Sequence, residues 1–300
     1  MAEDRKKSSL SWAREVPESD RPHREVLRLS DGYLTSVYIH EPSGHTSGKP
    51  VVYLHGIQSH PGWFGGSAAR LAQGGHAVYQ VTRRGSGCND LERGHAASAQ
   101  QLIDDVWAAC LMARQHADCQ QVHLLGVSWG GKLASCFALD PRRSARLASV
   151  TMVAPGIVPK VDLPLAEKLR VASSLILKSG RRFDIPLNDV ALFTGNEVLR
   201  LYLRQDRHRL KTATARLLYA SYCLDRMLRK APMGCLKLPT TLILATQDEI
   251  INNVATKDMV TALAGGPLVV RRLVGSHTLD FEADTREFHK TLVEAIQAGE

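Results

Sequence analysis

Five consecutive residues, Gly126-Val127-Ser128-Trp129-Gly130, constrain the fold of this chain more than any other stretch. They follow an apolar run at 122–125 and precede a helix-like segment at 132–139. A serine framed by glycines between a buried strand and a helix predicts a sharp turn that exposes the serine hydroxyl at the sheet edge. Such a turn is crowded, so the residues two before and two after the serine must lack a Cβ. An ordinary glycine-rich turn with a surface serine is the alternative that this pattern leaves open.

Strand-like and helix-like runs alternate on both sides of this turn. The first two strands, separated by Asp31-Gly32, predict an antiparallel hairpin. The later units are strand then helix, which is typical of a mainly parallel, doubly wound α/β sheet that binds ligands beyond the carboxyl ends of its strands. The predicted strands are 25–29, 33–40, 51–54, 76–81, 121–125, 148–154, 241–245 and 267–273, and the predicted helices are 64–73, 99–116, 132–139, 253–263 and 281–298.

The alternation stops at Pro155-Gly156 and resumes near 240, which divides the chain. Residues 1–20 are polar and without periodicity, and we interpret them as a flexible tail. Residues 21–156 and 240–300 are the two parts of the α/β core. The segment between them, 157–239, is interpreted as an inserted helical cap whose clearest helices are 165–178 and 197–230.

The positive charge of the chain is concentrated in the cap. The formal net charge is +8, and residues 157–239 hold sixteen Lys and Arg against seven Asp and Glu. This excess favours contact with an anionic lipid surface or an acidic substrate, an attraction that salt would weaken. Nucleic-acid binding is not expected, because no reader motif accompanies the charge. Solvated faces of surface helices remain the alternative explanation.

Cysteine and histidine spacing bears on metals and cofactors. The six cysteines form no C-x-x-C pair, and the twelve histidines form no H-E-x-x-H set, so we expect neither a metal nor a cofactor. No apolar stretch is long enough for a membrane span, and the polar start lacks the apolar region of a signal peptide. We therefore predict a cytoplasmic location. Oligomeric state is left open.

Two residues after late strands complete a catalytic set with Ser128. Serine is a weak nucleophile unless a histidine accepts its proton and an acid orients that histidine. Asp248 follows the strand at 241–245, and His277 follows the strand at 267–273. The chain order serine, aspartate, histidine is that of α/β-hydrolases. The other acids that could serve are Glu249, Asp280 and Glu282.

The oxyanion formed on attack by Ser128 needs at least two hydrogen-bond donors. We assign one to the backbone N–H of Trp129, directly after the serine, and the other to the backbone N–H of Ile57, in the loop after the strand at 51–54. Gly56 lets the backbone approach the substrate closely, and His55 is expected to shape the loop rather than carry a proton. Trp63 and Phe64 are candidates to line the site, with plain packing as the alternative.

With these motifs the chain resembles the α/β-hydrolase superfamily, and within it the monoacylglycerol lipase, lysophospholipase and serine aminopeptidase-like group. The resemblance covers about residues 24–298. It implies an eight-stranded core, a helical cap inserted after the sixth strand, and serine-dependent hydrolysis without a cofactor. The motifs that carry it are Leu54-His55-Gly56, Arg84-Gly85-Ser86-Gly87, Gly126-Val127-Ser128-Trp129-Gly130-Gly131, Gln247-Asp248-Glu249-Ile250-Ile251 and Gly275-Ser276-His277.

Two stretches depart from the monoacylglycerol lipase pattern. The loop at 55–64 contains Gln58 and lacks the acidic His-Gly-x-Gly-Glu form. Arg83-Arg84 stands where an aspartate or histidine often begins the next motif, and a salt bridge to the turn around Ser128 would explain it.

The sequence therefore predicts a serine hydrolase that cleaves the ester of a small acyl molecule, similar to a monoacylglycerol or a lysophospholipid. An amide or peptide hydrolase of the aminopeptidase type is the alternative, although the cap offers few acids to hold a substrate amine. A non-enzymatic binding module on the same scaffold is a third hypothesis, and it requires a broken triad.

Overall fold

The computed structural model describes residues 21–42 and 48–300, so the predicted tail at 1–20 lies outside the described residues. The strands are β1 (His23–Arg28), β2 (Leu34–His40), β3 (Val51–Leu54), β4 (Val78–Val81), β5 (Val122–Val127), β6 (Leu147–Val153), β7 (Arg182–Asp184), β8 (Thr212–Thr214), β9 (Thr240–Ala245) and β10 (Leu268–Leu273). The helices are α1 (Gly65–Gln73), α2 (Ala99–His116), α3 (Trp129–Ala138), α4 (Pro141–Ser144), α5 (Leu165–Leu177), α6 (Glu197–Gln205), α7 (Ala215–Lys230), α8 (Asn253–Leu263) and α9 (Arg286–Gln297).

Eight of these strands form one sheet, in the order β1-β2-β4-β3-β5-β6-β9-β10. β2 is antiparallel to both β1 and β4, and every other neighbouring pair is parallel. The first hairpin turns at Gly32, whose φ of 84° suits a residue without a side chain. The mainly parallel α/β fold predicted from the sequence is confirmed.

The central strands are buried along their whole length, which explains their continuous apolar runs. This holds for β3, β4, β5, β6 and β9. Parallel strands of this kind need helices on both faces to exclude water. Helix α3 is also buried at every position, and it packs against β5 and β6 directly behind Ser128.

Strand register brings the candidate loops to one edge of the sheet. Leu54, the last residue of β3, pairs with Gly126 in β5, so the loop after β3 begins beside the Ser128 turn. β9 and β10 run parallel to β5 and end at Ala245 and Leu273. Because carboxyl ends of parallel strands share an edge, the loops carrying Ser128, Asp248 and His277 meet there.

The segment between β6 and β9 differs from the predicted cap in one respect. It contains α5, α6 and α7, but the expected helix at 197–230 is interrupted, because α6 ends at Gln205 and β8 pairs antiparallel with β7. The interruption has a physical cause in Asp206, whose carboxylate is bonded to the core side chains of His60 and Trp63. We call residues 157–239 the cap segment.

The last helix also begins later than predicted, at Arg286 rather than near 281. Residues Leu279–Phe281 form a 3-10 turn instead. The cap segment holds the start of this turn, because the backbone N–H of Thr278 donates to the carbonyl of Phe193 at 2.9 Å.

The expected salt bridge from Arg83-Arg84 to the Ser128 turn is wrong. The guanidinium of Arg84 is buried and pairs with Asp105 on α2 and with Asp31 in the first hairpin. It also lies over the ring of Tyr33, 4.9 Å from its centroid. Arg84 therefore joins the loop after β4 to α2 and to the hairpin.

Two sequence predictions are not tested by this fold. The domain boundaries at 156/157 and 239/240 stay predictions, as does the cytoplasmic location. In the part of the chain that the structure describes, no helix is both long and apolar enough to cross a membrane.

Candidate active site

Ser128 has the strained backbone expected of a serine between a strand and a helix. Its φ of 54° and ψ of −123° lie in a region that residues with a side chain rarely adopt. Four backbone hydrogen bonds hold it there: its N–H donates to Val153 at 2.9 Å, and its carbonyl accepts from Gly131, Lys132 and Gly156 at 2.8 to 3.3 Å. The surrounding structure thus stabilises a conformation that Ser128 would not hold alone.

The glycines around Ser128 are required by close backbone contact. A Cβ on Gly126 would lie 2.4 Å from the carbonyl oxygen of Gly130, and a Cβ on Gly130 would lie 2.3 Å from that of Leu54. Both distances are shorter than real contacts allow. The crowding predicted two residues before and two after the serine is therefore present, and it binds β3, β5 and α3 together.

Ser128, His277 and Asp248 form a continuous hydrogen-bonded chain. His277 Nε2 lies 2.8 Å from Ser128 Oγ, and His277 Nδ1 lies 2.7 Å from Asp248 Oδ2. A carboxylate can only accept, so Nδ1 carries the proton and donates it to Asp248. Nε2 then has a lone pair facing the serine hydroxyl, the arrangement that general-base chemistry needs. Both Asp248 and His277 are buried.

Asp248 is fixed by its own loop. Its second oxygen, Oδ1, accepts from the backbone N–H groups of Ile250 at 2.8 Å and Ile251 at 3.0 Å. The Nζ of Lys160, from the start of the cap segment, donates to the Asp248 carbonyl. The carboxylate therefore has one oxygen satisfied by backbone and the other left for His277.

The other acids considered from the sequence have different positions. Glu249 is exposed. Glu282 accepts from the backbone N–H of Ser276 at 2.7 Å, which holds the loop before His277. Burial raises the pKa of Asp280 to about 7, against the hydrogen bonds that it makes with Ser67. Of the four carboxyl groups, Asp248 is the one bonded to the imidazole.

The loop after β3 approaches Ser128 through Gly56. A Cβ on Gly56 would lie 3.2 Å from Ser128 Cβ, so this backbone faces the serine at close range. His55 supports the loop: its Nδ1 donates to the Gly56 carbonyl at 2.8 Å, and its Nε2 accepts from the Arg83 backbone N–H at 3.1 Å. Burial lowers the pKa of His55 well below its ordinary value, which keeps the ring neutral.

Arg83 is a site residue that the sequence reasoning did not assign. Its Nη2 donates to the carbonyl of Ile57 at 2.7 Å, and its guanidinium lies 5.1 Å from the centroid of the Trp129 ring. Burial lowers the pKa of Arg83 to about 10. One side chain thus contacts both residues whose N–H groups are the predicted oxyanion donors. In the sequence, Arg83 is marked only by standing where an aspartate or histidine often occurs in monoacylglycerol lipases.

Trp63 and Phe64 make their ring contacts with other aromatic side chains rather than with Ser128. Phe64 packs against Tyr53 in the core. Trp63 is buried, donates its indole N–H to Asp206 at 2.8 Å, and packs edge-on against Phe193. Their substrate-binding role stays a prediction.

Phe193, from the cap segment, was missed because nothing in its local pattern marks it. Its ring stands between Trp63 and His277, with its centroid 6.2 Å from that of the imidazole.

One group of potential metal ligands lies elsewhere. His76, His123 and Glu300 place ligand atoms within 4.8 Å of one another, near the amino ends of β4 and β5. Glu300 is already engaged there, because one of its oxygens lies 2.8 Å from the Nζ of Lys49 and the other 3.2 Å from His123. These contacts hold the last residue of the chain, Glu300, against the core, at the end of the sheet opposite Ser128.

Comparison with known proteins places this geometry in a family. The family model of serine aminopeptidases (S33) matches residues 46–270. The chain belongs to this family of α/β-hydrolases. A soluble variant of monoglyceride lipase from Saccharomyces cerevisiae, solved with a substrate analogue, has a TM-score of 0.78 at 14% identity, covering 97% of this chain and 98% of that one. At this identity the likeness shows a shared fold.

Two curated relatives match a shorter part of the chain. Ethanol acetyltransferase 1 of Cyberlindnera fabianii is 26% identical over 145 residues, 47% of this chain and 41% of that protein. Proline iminopeptidase of Clostridioides difficile (strain 630) is 28% identical over 120 residues, 38% of this chain and 40% of that protein. The chain thus spans about two fifths of the length of these relatives.

Substitution of Gly130 tests the crowding at the turn. We expect Gly130→Ala to destabilise the protein by about 3 kcal/mol, since the new methyl group collides with the Leu54 carbonyl and core overpacking costs about this much. Urea denaturation measures the change. Gly180→Ala is the matched control, because its Cβ would have no atom within 4 Å. Equal stability of the two variants would contradict the packing argument.

Proposed function

We propose that this protein is a serine hydrolase that cleaves a carboxylic ester through an acyl-enzyme. The observation that carries the proposal is the contact of 2.8 Å between His277 Nε2 and Ser128 Oγ, with Asp248 behind the imidazole. Nucleophile, base and orienting acid within hydrogen-bond distance are the parts that acyl transfer requires.

The reaction proceeds in two halves. Ser128 Oγ attacks the acyl carbon while its proton passes to His277 Nε2, and the charge that forms on the imidazole is stabilised by the Asp248 carboxylate. The tetrahedral intermediate collapses, the ester C–O bond breaks, and His277 gives its proton to the departing alcohol. A water molecule then loses a proton to His277 and attacks the acyl carbon, the bond from that carbon to Ser128 Oγ breaks, and His277 returns the proton to Oγ as the acid leaves.

The oxyanion of each half is placed against the backbone N–H groups of Trp129 and Ile57. Trp129 is the first residue of α3, where the dipole of the helix also favours negative charge. Ile57 directly follows Gly56, whose backbone faces Ser128. Arg83 supports this assignment, since it fixes the Ile57 carbonyl and lies on the Trp129 ring.

For the substrate we propose a small acyl ester of the monoacylglycerol or lysophospholipid kind. The fold shared with a monoglyceride lipase supports an ester of this size. Amide or peptide cleavage is the second candidate, favoured by the serine aminopeptidase family match and by the likeness to a proline iminopeptidase. Two acids of the cap segment are engaged by core side chains, Asp206 by His60 and Trp63 and Asp225 by Lys132, which argues against their holding a substrate amine. A non-enzymatic module is disfavoured by the intact hydrogen-bonded chain.

We further propose that the end of α5 contacts an anionic lipid surface. Ile176 and Leu177 are 88% and 84% exposed. Lys178 and Arg181 follow them, and neither forms an ion pair with any described residue. Apolar side chains beside unpaired cations suit the boundary between lipid headgroups and acyl chains, where each cation contributes about 1 kcal/mol.

Replacement of the serine tests the reaction. We expect Ser128→Ala to lower kcat/KM for p-nitrophenyl esters and monoacylglycerols by about 10⁴-fold or more and to abolish labelling by a fluorophosphonate. The exposed Ser173 provides the control, Ser173→Ala, which should keep both. Labelling that survives the loss of Ser128 would refute its role as the nucleophile.

An aminoacyl p-nitroanilide panel on the wild type decides the substrate class: turnover of amides without esters would favour the second candidate.

Replacement of Arg83 tests the proposed oxyanion donors. We expect Arg83→Met to lower kcat for an ester about 10- to 100-fold with little change in KM, because misplaced donors weaken binding of the transition state more than that of the substrate. Arg229→Met is the matched control, since Arg229 also lies over an aromatic ring, that of Tyr222, but in the cap segment. An unchanged kcat in Arg83→Met would show that this guanidinium does not position the donors.

Vesicle binding tests the lipid contact. We expect Ile176→Ser/Leu177→Ser to weaken co-sedimentation with phosphatidylglycerol vesicles about tenfold, and we expect binding of the wild type to fall as salt increases. Val254→Ser, on α8, removes a comparably exposed apolar side chain outside the cap segment and should leave binding unchanged. Binding that is indifferent to both ionic strength and the double substitution would rule the contact out.

A further inference from the structure

A second concentration of charge lies away from the catalytic residues, at the junction of the cap segment with the core. A cavity of about 410 Å³ is lined there by five cationic side chains: Arg93, Arg182, Arg207, Arg209 and Lys211. We call it the basic cavity. We propose that the basic cavity binds the phosphate or pyrophosphate group of a ligand.

The cations of the basic cavity have no carboxylate partners. In residues 21–42 and 48–300, none of the five forms an ion pair within 4.0 Å. The carboxylate that lines the cavity, Asp206, accepts hydrogen bonds from His60, Trp63 and the backbone N–H of His208 instead. Although burial alone would raise it, the pKa of Asp206 is lowered to about 2 by His60 and Trp63. The lining thus holds five cations and one charged acid, with Asp189 as a further acid near Arg209.

Three of the guanidinium groups are held in place by backbone carbonyls. Arg93 donates to Gly87 and His208, and Arg182 donates to Arg93. Arg209 is buried, and its guanidinium donates to the carbonyl of Leu187 at 2.6 Å and to the side chain of Gln58 at 3.0 Å. A carbonyl orients a guanidinium without cancelling its charge. The cavity is therefore ordered and positive before any ligand arrives.

This arrangement fits a phosphate or pyrophosphate better than a single carboxylate. The side chains of Arg207 and Lys211 form no hydrogen bond with a described residue, so a guanidinium fork and an ammonium group are free for phosphate oxygens, and several cations around one cavity match an anion that carries more than one charge. A volume of about 410 Å³ accommodates pyrophosphate with room for an attached group.

The cations also come from three separate segments, which gives binding a structural consequence. Arg93 belongs to the loop between β4 and α2, Arg182 to β7, and the other three to the connection between α6 and β8. Their mutual repulsion is unfavourable without a ligand. A bound anion would remove this repulsion and link the cap segment to the core, so it should raise the melting temperature.

The lining of the basic cavity contains none of the catalytic residues, but Arg209 connects it to the site through Gln58, the neighbour of Ile57, and through Phe193. The guanidinium of Arg209 lies 5.5 Å from the centroid of Phe193, and Phe193 packs against His277. Binding of the anion needs no reaction at Ser128. It is therefore measured equally well on Ser128→Ala, and the proposal stands or falls independently of ester hydrolysis.

The test measures binding of sodium pyrophosphate to the wild type and to two variants at constant ionic strength. We expect pyrophosphate at about ten times its Kd to raise the Tm of the wild type by about 3 °C. Arg182→Gln/Arg207→Gln should weaken binding, measured by calorimetry, at least about tenfold. Its own Tm without ligand should be equal to or above that of the wild type, because repulsion is relieved. Arg226→Gln is the matched control: an exposed arginine of the cap segment outside the cavity.

Two sources of the phosphate are distinguished by a second arm. Vesicles of phosphatidylcholine with and without phosphatidic acid replace pyrophosphate in a co-sedimentation assay. Saturable binding of pyrophosphate that the double substitution weakens indicates a soluble phosphorylated ligand. Binding to phosphatidic acid alone, lost in the same variant, indicates a lipid headgroup. Absence of both, or an equal response from the double variant and Arg226→Gln, overturns the proposal.

Discussion

The close approach of β3, β5 and α3 at Ser128 is the constraint on which the rest of the site depends. Gly126 and Gly130 let three backbones pass at distances that no side chain would permit. This packing holds Ser128 at a positive φ and brings the loop after β3 against it. Hydrophobic burial of the central strands supplies the free energy that sustains the strain. The position of the serine hydroxyl is therefore a consequence of the sheet itself.

Polar side chains extend this order from the sheet into the cap segment. Gln58, in the loop after β3, accepts from the Arg209 side chain, and its carbonyl accepts from the backbone N–H of Leu210. His60 and Trp63 of the core bond Asp206 in the same way. Because these groups are buried, loss of one partner would leave the other unsatisfied. The connection between α6 and β8 is thus fixed to the loop that carries Ile57.

What the sequence could predict follows from how local each signal is. The Ser128 turn, Asp248 and His277 each follow a strand of the parallel part of the sheet, so their meeting at one edge is implied by parallel order alone. Arg83 and Phe193 join segments far apart in the chain, and no periodic pattern marks them. One long helix was expected at 197–230 because helix-forming residues continue through Asp206. α6 ends there because the Asp206 side chain contacts Trp63 of the core, a contact that no local pattern shows.

The positions of the charges in the cap segment distinguish two proposed roles, contact with a lipid surface and binding of a phosphate, which the net charge alone does not distinguish. Lys168 and Arg170 on α5 pair with Asp162 and Glu167, so they add little attraction toward a lipid surface. Cations without an ion pair to a described residue lie at the end of α5, in the basic cavity and on α7, where they are Arg216, Arg226, Arg229 and Lys230. The apolar side chains of Ile176 and Leu177 must then supply much of any lipid affinity, and its salt dependence should reflect only a few charges. A multiply charged anion would, by contrast, be drawn to the basic cavity, whose lining holds five cations and one ionised acid.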